Sequence, residues 1–243
     1  VTVRIAMWSG PRNISTAMMR SFSSRPDTAV SDEPFYGCFL KQTGLDHAMR
    51  DEIIADMDCD WWTVAVTLSE SAPGGRPVWY QKHMSHHMVG PVVPDDLPGF
   101  IHAFLIRDPV RMVASYAAKR ESVAPADLGL ERQRAFFERE ADRLGKAPPV
   151  IDSADVLRDP AATLSALCDA LGIAWTDAML RWPAGRHADD GIWAPHWYGR
   201  VETSTGFEGA ERDPPALDPA LRAVADACMA DYQAMAAHAV GRG

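Results

Sequence analysis

Apolar positions fall into two alternating rhythms along the chain. Short apolar runs read as strands near residues 3–8, 28–31, 77–81, 101–106 and 149–152. The clearest is Phe100-Ile101-His102-Ala103-Phe104-Leu105-Ile106, a nearly continuous run of the kind that a parallel strand buried on both faces requires. Between the runs the period lengthens to that of a helix. Ala17 to Phe22 follow the first strand, and Val110, Val113, Ala114 and Ala117 keep one face after Pro109. Phe137, Ala141 and Leu144 mark another helix. Asp159-Pro160 opens the next, whose Leu164, Leu167, Cys168 and Leu171 end at Gly172. Asp218-Pro219 opens the last, with Leu221, Val224, Ala225, Cys228 and Met235 as its stripe. Strands alternating with helices predict an α/β fold with a central parallel sheet between helical layers.

The pattern weakens in places. Residues 84–99 are rich in proline and glycine, and 183–216 in Gly, Pro, Trp and Asp. We expect one domain over 1–243, with irregular lid or acceptor-side segments near 41–75 and 183–216, because long irregular stretches in compact domains are commonly binding loops. Trp193, Trp197, Tyr198 and Phe207 need a surface to pack on, so 183–216 is expected to be ordered.

Composition narrows the partners. With 24 Lys and Arg against 33 Asp and Glu, the formal charge of −9 argues against nucleic acid or an anionic membrane as partner, while leaving room for a local basic pocket. Cys38, Cys59, Cys168 and Cys228 form no CxxC, so neither a disulfide framework nor a zinc site is expected. No run reaches the roughly 18–20 apolar residues needed to span a bilayer. The chain enters a strand at once, so no signal peptide and a cytoplasmic location are expected.

Chemistry concentrates at two strand ends. After the first strand comes Ser9-Gly10-Pro11-Arg12-Asn13-Ile14-Ser15-Thr16, then helix. A turn from buried strand into helix aims backbone N–H groups and the positive end of the helix dipole at one point, which favours phosphate or sulfate. There is no Gly-Lys-Ser/Thr ending, so this is not the ATP-hydrolysing loop. The central strand ends at Ile106 and is followed by Arg107-Asp108-Pro109, with Ser115 eight residues beyond Arg107. Carboxyl ends of strands are where open α/β sheets bind ligands.

Together these segments resemble the 3′-phosphoadenylylsulfate (PAPS)-dependent sulfotransferases, in a bacterial-type form. In that family a loop of the type Pro-Lys/Arg-Ser-Gly-Thr-Thr holds the 5′-phosphosulfate, and Pro11-Arg12-Asn13-Ile14-Ser15-Thr16 stands in those places. An arginine followed eight residues later by a serine holds the 3′-phosphate, as Arg107 and Ser115 match. Ala154-Asp155-Val156-Leu157-Arg158-Asp159-Pro160, with Leu171-Gly172 beyond, is a third echo, and the resemblance covers residues 3–173. It implies a three-layer α/β/α fold like that of the P-loop nucleoside-triphosphate hydrolases. It also implies an enzyme that moves a sulfuryl group from PAPS to a hydroxyl or amine of a small acceptor, releasing adenosine 3′,5′-bisphosphate (PAP) without a metal. Gly10, Pro11, Arg12, Asn13, Ile14, Ser15, Thr16, Arg107 and Ser115 are the expected donor-binding residues. Two departures stand out. Ile14 replaces the usual glycine, and a β-branched residue resists positive φ. No Arg-Lys-Gly segment occurs near the C-terminus, so Arg200, Thr205 and Gly206 are expected to replace it.

Transfer also needs a base and a cation. Arg12 or Lys82 can neutralise charge on the bridging oxygen, and Glu33 and His83, each at the end of a strand, are both candidates for the base. Trp61, Trp62, Trp193, Trp197 and Tyr198 form either an acceptor wall or core. The alternatives are a P-loop kinase-like nucleotide enzyme, with Asp108 as a magnesium ligand, and a non-catalytic binding domain. Monomer and homodimer remain equally open.

Overall fold

The five apolar runs become five strands of one parallel sheet in the computed structural model, which describes residues 2–118 and 122–241. In chain order the elements are β1 (Val3–Ser9), α1 (Ser15–Ser23), β2 (Thr28–Asp32), α2 (Tyr36–Thr43), α3 (Arg50–Asp56), α4 (Trp61–Ser69), β3 (Val78–Met84), β4 (Phe100–Ile106), α5 (Pro109–Ala117), α6 (Pro125–Leu128), α7 (Leu130–Leu144), β5 (Val150–Asp152), α8 (Ser153–Arg158), α9 (Pro160–Leu171), α10 (Ala194–Trp197), α11 (Gly199–Glu202) and α12 (Pro219–Ala236). The strand order is β2-β3-β1-β4-β5. The chain therefore leaves β1 in one direction and crosses to its other side at β4, which opens a crevice at the carboxyl ends of β1 and β4.

Alternation along the strands sorts the core into two halves. Ile5, Met7, Val78 and Tyr80 face Met18, Met19 and Phe22 of α1 and Leu164, Leu167 and Leu171 of α9. Ala6, Trp8, Trp79 and Phe104 face α4, α5, α7 and α12 through Leu68, Val113, Phe137 and Cys228. Aspartate caps set the helix starts: Asp108, Asp152, Asp159 and Asp218 each accept a first-turn N–H. Gly172 ends α9 with φ 68°, in the left-handed region that glycine adopts without strain.

Segment 41–75, expected to be irregular, instead carries α3 and α4. Asp60 caps α4 by accepting from Thr63 N at 2.8 Å, and Trp61, Val64, Ala65 and Leu68 bury at helical spacing. Segment 183–216 holds the short α10 and α11, and its aromatics do pack, with Trp193 and Tyr198 buried. Among the described residues no helix is long and apolar enough to cross a membrane.

Candidate functional site

A cleft of about 910 Å³ opens at the carboxyl ends of the strands, between the loop after β1, the start of α5 and segment 197–215. The two segments expected to bind phosphate meet in its wall, although roughly a hundred residues separate them. Arg12 Nε donates to Ser115 Oγ at 3.0 Å, and Arg107 Nη1 donates to the Arg12 carbonyl at 2.5 Å. Burial lowers the pKa of Arg12, and the charges of Arg107 and Arg200 add to that shift, so the cations share one anion-seeking region. Arg107 Nε is buried with no hydrogen-bond partner, a donor left over for an anion with more oxygens than the structure supplies. That cluster fits a phosphorylated nucleotide.

The loop after β1 divides its labour. Pro11, Arg12, Asn13, Ile14, Ser15 and Thr16 line the cleft. Asn13 nevertheless spends its side chain on shape, since Nδ2 donates to Leu105 O at 2.9 Å and Oδ1 accepts from Ile14 N at 3.0 Å. No side chain caps α1; Ser15 N donates to the Asn13 carbonyl at 2.5 Å, and the first turn, Ser15 to Ala17, lines the cleft. Ile14 sits at φ −65°, and the positive φ of the loop falls on Arg12 at 56°. The β-branched residue is therefore unstrained. Gly10 lies behind the loop, outside the cleft. A Cβ there would stand 2.4 Å from Leu128 O and 2.7 Å from Met112 Cε.

Glu33 also lines the cleft, just past β2 and at φ 43°. Its Oε1 accepts from Lys82 Nζ at 2.6 Å, and Oε2 lies 3.8 Å from His87 Nδ1. Lys82 and Asp32 are register partners on neighbouring strands. Lys82 Nζ also donates to Asp32 Oδ1 at 2.9 Å and to Tyr198 Oη at 2.6 Å, while Tyr198 donates on to Asp32 Oδ2 at 2.6 Å. Burial raises the Glu33 carboxyl above its ordinary range, opposed by the Lys82 charge and reinforced by Asp32. Burial works to lower the pKa of Lys82, but the two carboxylates outweigh it and keep the ammonium charged.

Several expected roles are not met by these positions. All three N–H donors of Lys82 are engaged, so it has none left for a bridging oxygen and acts instead on Glu33. His83 points to the opposite face of the sheet from Lys82, as strand alternation demands. It lies against Trp8 and Phe35 with only 1% of its surface exposed. Burial drives its pKa down to about 3, so it is a neutral core imidazole rather than a base at the cleft. Arg200 and Gly206 line the cleft. Thr205 does not; it faces a shallower depression with Pro160 and Arg181, because Gly206 bridges back to Arg181. Asp108 gives a carboxylate oxygen to Val110 N at 2.7 Å, which explains it as a helix cap. Trp61 stacks on Phe35 and Trp62 is exposed, so neither is an acceptor wall, whereas Trp197 and Tyr198 do line the cleft. Among the described residues no group of three or more His, Cys, Asp or Glu is placed to hold a metal ion.

Sequence reasoning missed Asp32, Arg111, Gln133 and Glu211. Arg111 was within reach, since it stands in the first turn of α5, four residues after Arg107. Gln133 Nε2, buried in α7, ties the ends of β1 and β4 together through Trp8 O and Leu105 O at 3.0 and 2.9 Å. Nothing local to Glu211 signals that its carboxylate pairs with Arg107 and Arg111.

Comparison with known proteins agrees with this geometry. A family model described as a sulfotransferase domain matches residues 3–239. Two Arabidopsis thaliana proteins, named branched-chain-amino-acid aminotransferase-like protein 2 and protein 1, are 34% and 38% identical over 96% and 86% of the chain. The chain spans only about two fifths of these relatives, 41% and 37% of their lengths. A sulfotransferase from Alicyclobacillus acidocaldarius superposes with a TM-score of 0.55 over 96% of both chains at 14% identity. A sulfotransferase domain from the curacin biosynthetic pathway gives 0.52 over 93% of this chain and 97% of that one, also at 14% identity. With the family model spanning nearly the whole sequence and the fold shared with both structures, the chain belongs to the sulfotransferase domain family.

Proposed function

We propose that this chain transfers a sulfuryl group from PAPS to a hydroxyl or amine of a small acceptor. The observation that carries the reading is the contact of Arg12 with Ser115 and Arg107 in a cleft that Glu33 also lines. Arg12 and the first-turn amides of α1 hold the 5′-phosphosulfate, and Arg107 with Ser115 holds the 3′-phosphate. Glu33, made more basic by burial, takes the proton from the acceptor. The acceptor oxygen or nitrogen forms its bond to sulfur as the bond from sulfur to the 5′-phosphate oxygen breaks, and PAP leaves. Arg12 and the helix N-terminus offset the charge growing on that oxygen, so residues of this chain supply the required field. Lys82 positions Glu33 and keeps Asp32 neutralised beside it.

Titration calorimetry tests the donor half. Wild-type protein is expected to bind PAP at least about tenfold more tightly than AMP, a preference lost in Arg107→Ala, since charge-assisted bonds to the extra phosphate set the difference. Equal affinity for the two nucleotides refutes the donor assignment. Transfer of labelled sulfate from PAPS to a panel of phenols, alcohols and amines tests the rest. On an acceptor that turns over, Glu33→Gln is expected to lower the single-turnover rate by about 100-fold or more. An undiminished rate removes Glu33 as the base.

A further inference from the structure

Segment 208–212 crosses the nucleotide end of the cleft and meets its cations with carboxylates. Glu208 forms a two-point pair with Arg200, with Arg200 Nε to Oε1 at 2.9 Å. Glu211 reaches deeper. Its Oε1 pairs with Arg107 Nη2, and its Oε2 lies 3.1 Å from Arg111 Nε. Arg111 also donates through Nη2 to the carbonyl of Arg212. The side chains of Arg107, Arg111 and Glu211 are only 19%, 18% and 11% exposed, so these contacts are not loose surface pairs. Arg111 stands in the first turn of α5, Arg107 just before the helix cap Asp108, and both line the cleft.

We propose that Arg111 joins Arg107 in holding the 3′-phosphate of the donor, and that Glu211 occupies this seat in the nucleotide-free chain. Binding is then an exchange of one anion for another. The proposal rests on the donor reading above and extends it to two residues which that reading does not use. Two cations this close and this buried need an anion between them, and Glu211 provides one. A carboxylate offers two oxygens and one charge; a phosphate monoester offers three oxygens and up to two charges. The unpartnered Arg107 Nε is the donor that the carboxylate fails to satisfy and a third oxygen would reach. Arg111 thereby supplies a second guanidinium where the expected C-terminal Arg-Lys-Gly segment is absent. Nucleotides lacking a 3′-phosphate cannot complete the exchange, so Glu211 also sharpens selectivity.

The test is calorimetric binding of PAP and AMP to wild type, Arg111→Met, Glu211→Gln and Glu211→Ala, with circular dichroism as a check on folding. Removing the competing carboxylate is expected to tighten PAP binding about fivefold or more in both Glu211 variants, while AMP affinity stays within about twofold. Arg111→Met is expected to weaken PAP about tenfold and leave AMP nearly unchanged. If the Glu211 variants misfold, the Arg111→Met result decides alone. PAP affinity that is unchanged or weakened in folded Glu211 variants, or unchanged in Arg111→Met, overturns the proposal. If wild type prefers PAP and Arg107→Ala abolishes that preference, the donor reading survives such a result. If wild type shows no preference for PAP, both fall together.

Discussion

Replacing Lys82 with methionine isolates the buried charge cluster that holds Glu33. The side chain of Lys82 is 1% exposed, and its partners Asp32 and Glu33 are 2% and 11% exposed at 2.9 and 2.6 Å. At an effective dielectric near 20 and about 4 Å between charge centres, each pairing is worth about 4 kcal/mol. The desolvation of Lys82 itself costs several kcal/mol, so about half of the combined attraction survives as net stability. Methionine fills similar volume and leaves two carboxylates buried without a cation. The expected loss is about 3–5 kcal/mol at pH 8, measured by urea unfolding, a non-ionic denaturant that does not screen the charges. The pH dependence gives a second, sharper reading. Lys82 opposes the burial that raises the Glu33 carboxyl; without it the folded variant holds that proton more tightly than wild type does, so acidification stabilises the variant relative to wild type. The gap between the two proteins should therefore narrow on going from pH 8 to pH 5. A loss below about 1 kcal/mol, or one that is the same at both pH values, would refute the assignment of this cluster as an obligatory buried ion triad.

Two further outcomes follow from the core behind the site. Burial holds the pKa of His83 down to about 3 and that of His102 to about 4, both below the ordinary 6.5; like charge between the two adds to the shift at His83. The unfolded chain thus binds more protons, so their contribution is present above pH 6.5 and is lost as pH falls towards 4. The slope is up to about 1.4 kcal/mol per pH unit for each histidine, and urea midpoints across this window in wild type and His83→Gln check it. Gly10→Ala forces a methyl to 2.4 Å from Leu128 O and 2.7 Å from Met112 Cε, where the backbone oxygen cannot rotate away. It is expected to cost about 1–3 kcal/mol in unfolding free energy with little direct effect on nucleotide contacts, and a neutral substitution would refute the close approach.

The sheet and the meeting of Arg12, Arg107 and Ser115 in the cleft wall were readable because each rests on a local signal. A buried parallel strand must be apolar on both faces, so β4 announced itself, and helices that open on Asp-Pro or end on Gly172 carry their own punctuation. Arg12 and Arg107 follow strand ends closely, so their convergence depends on strand order, and Ser115 is carried to them by α5. His83 failed because a single step along a strand reverses the face: Lys82 looks into the cleft, and its neighbour looks into the opposite core. Glu33 and His83 were both candidates for the base, and the register of β3 is what separates them. Glu211 was invisible for a different reason. It reaches Arg107 across roughly a hundred residues of chain from a segment without periodicity, and no pattern fixes where such a segment lies.

The loop after β1 makes its tight strand-to-helix turn without the glycine expected at position 14, and the structure accounts for how. The positive φ that a tight strand-to-helix turn requires is carried by Arg12, at a cost of order 1–2 kcal/mol for a residue with a Cβ. Strain of that size persists only where other contacts hold it. Here Arg107 Nη1 grips the Arg12 carbonyl at 2.5 Å, and the side chain of Arg12 reaches Ser115 at 3.0 Å. Asn13 anchors the next residue to Leu105 at the end of β4. The segment after β4 therefore supports the loop after β1 mechanically. Arg107 consequently has two separable duties, one through Nη1 to the loop and one through Nη2 and Nε to the anion seat. Lysine at position 107 would keep a charge but not the planar fork that serves both directions at once. The arginine is thus required by geometry, and the strained loop and the proposed 3′-phosphate seat form one coupled structure.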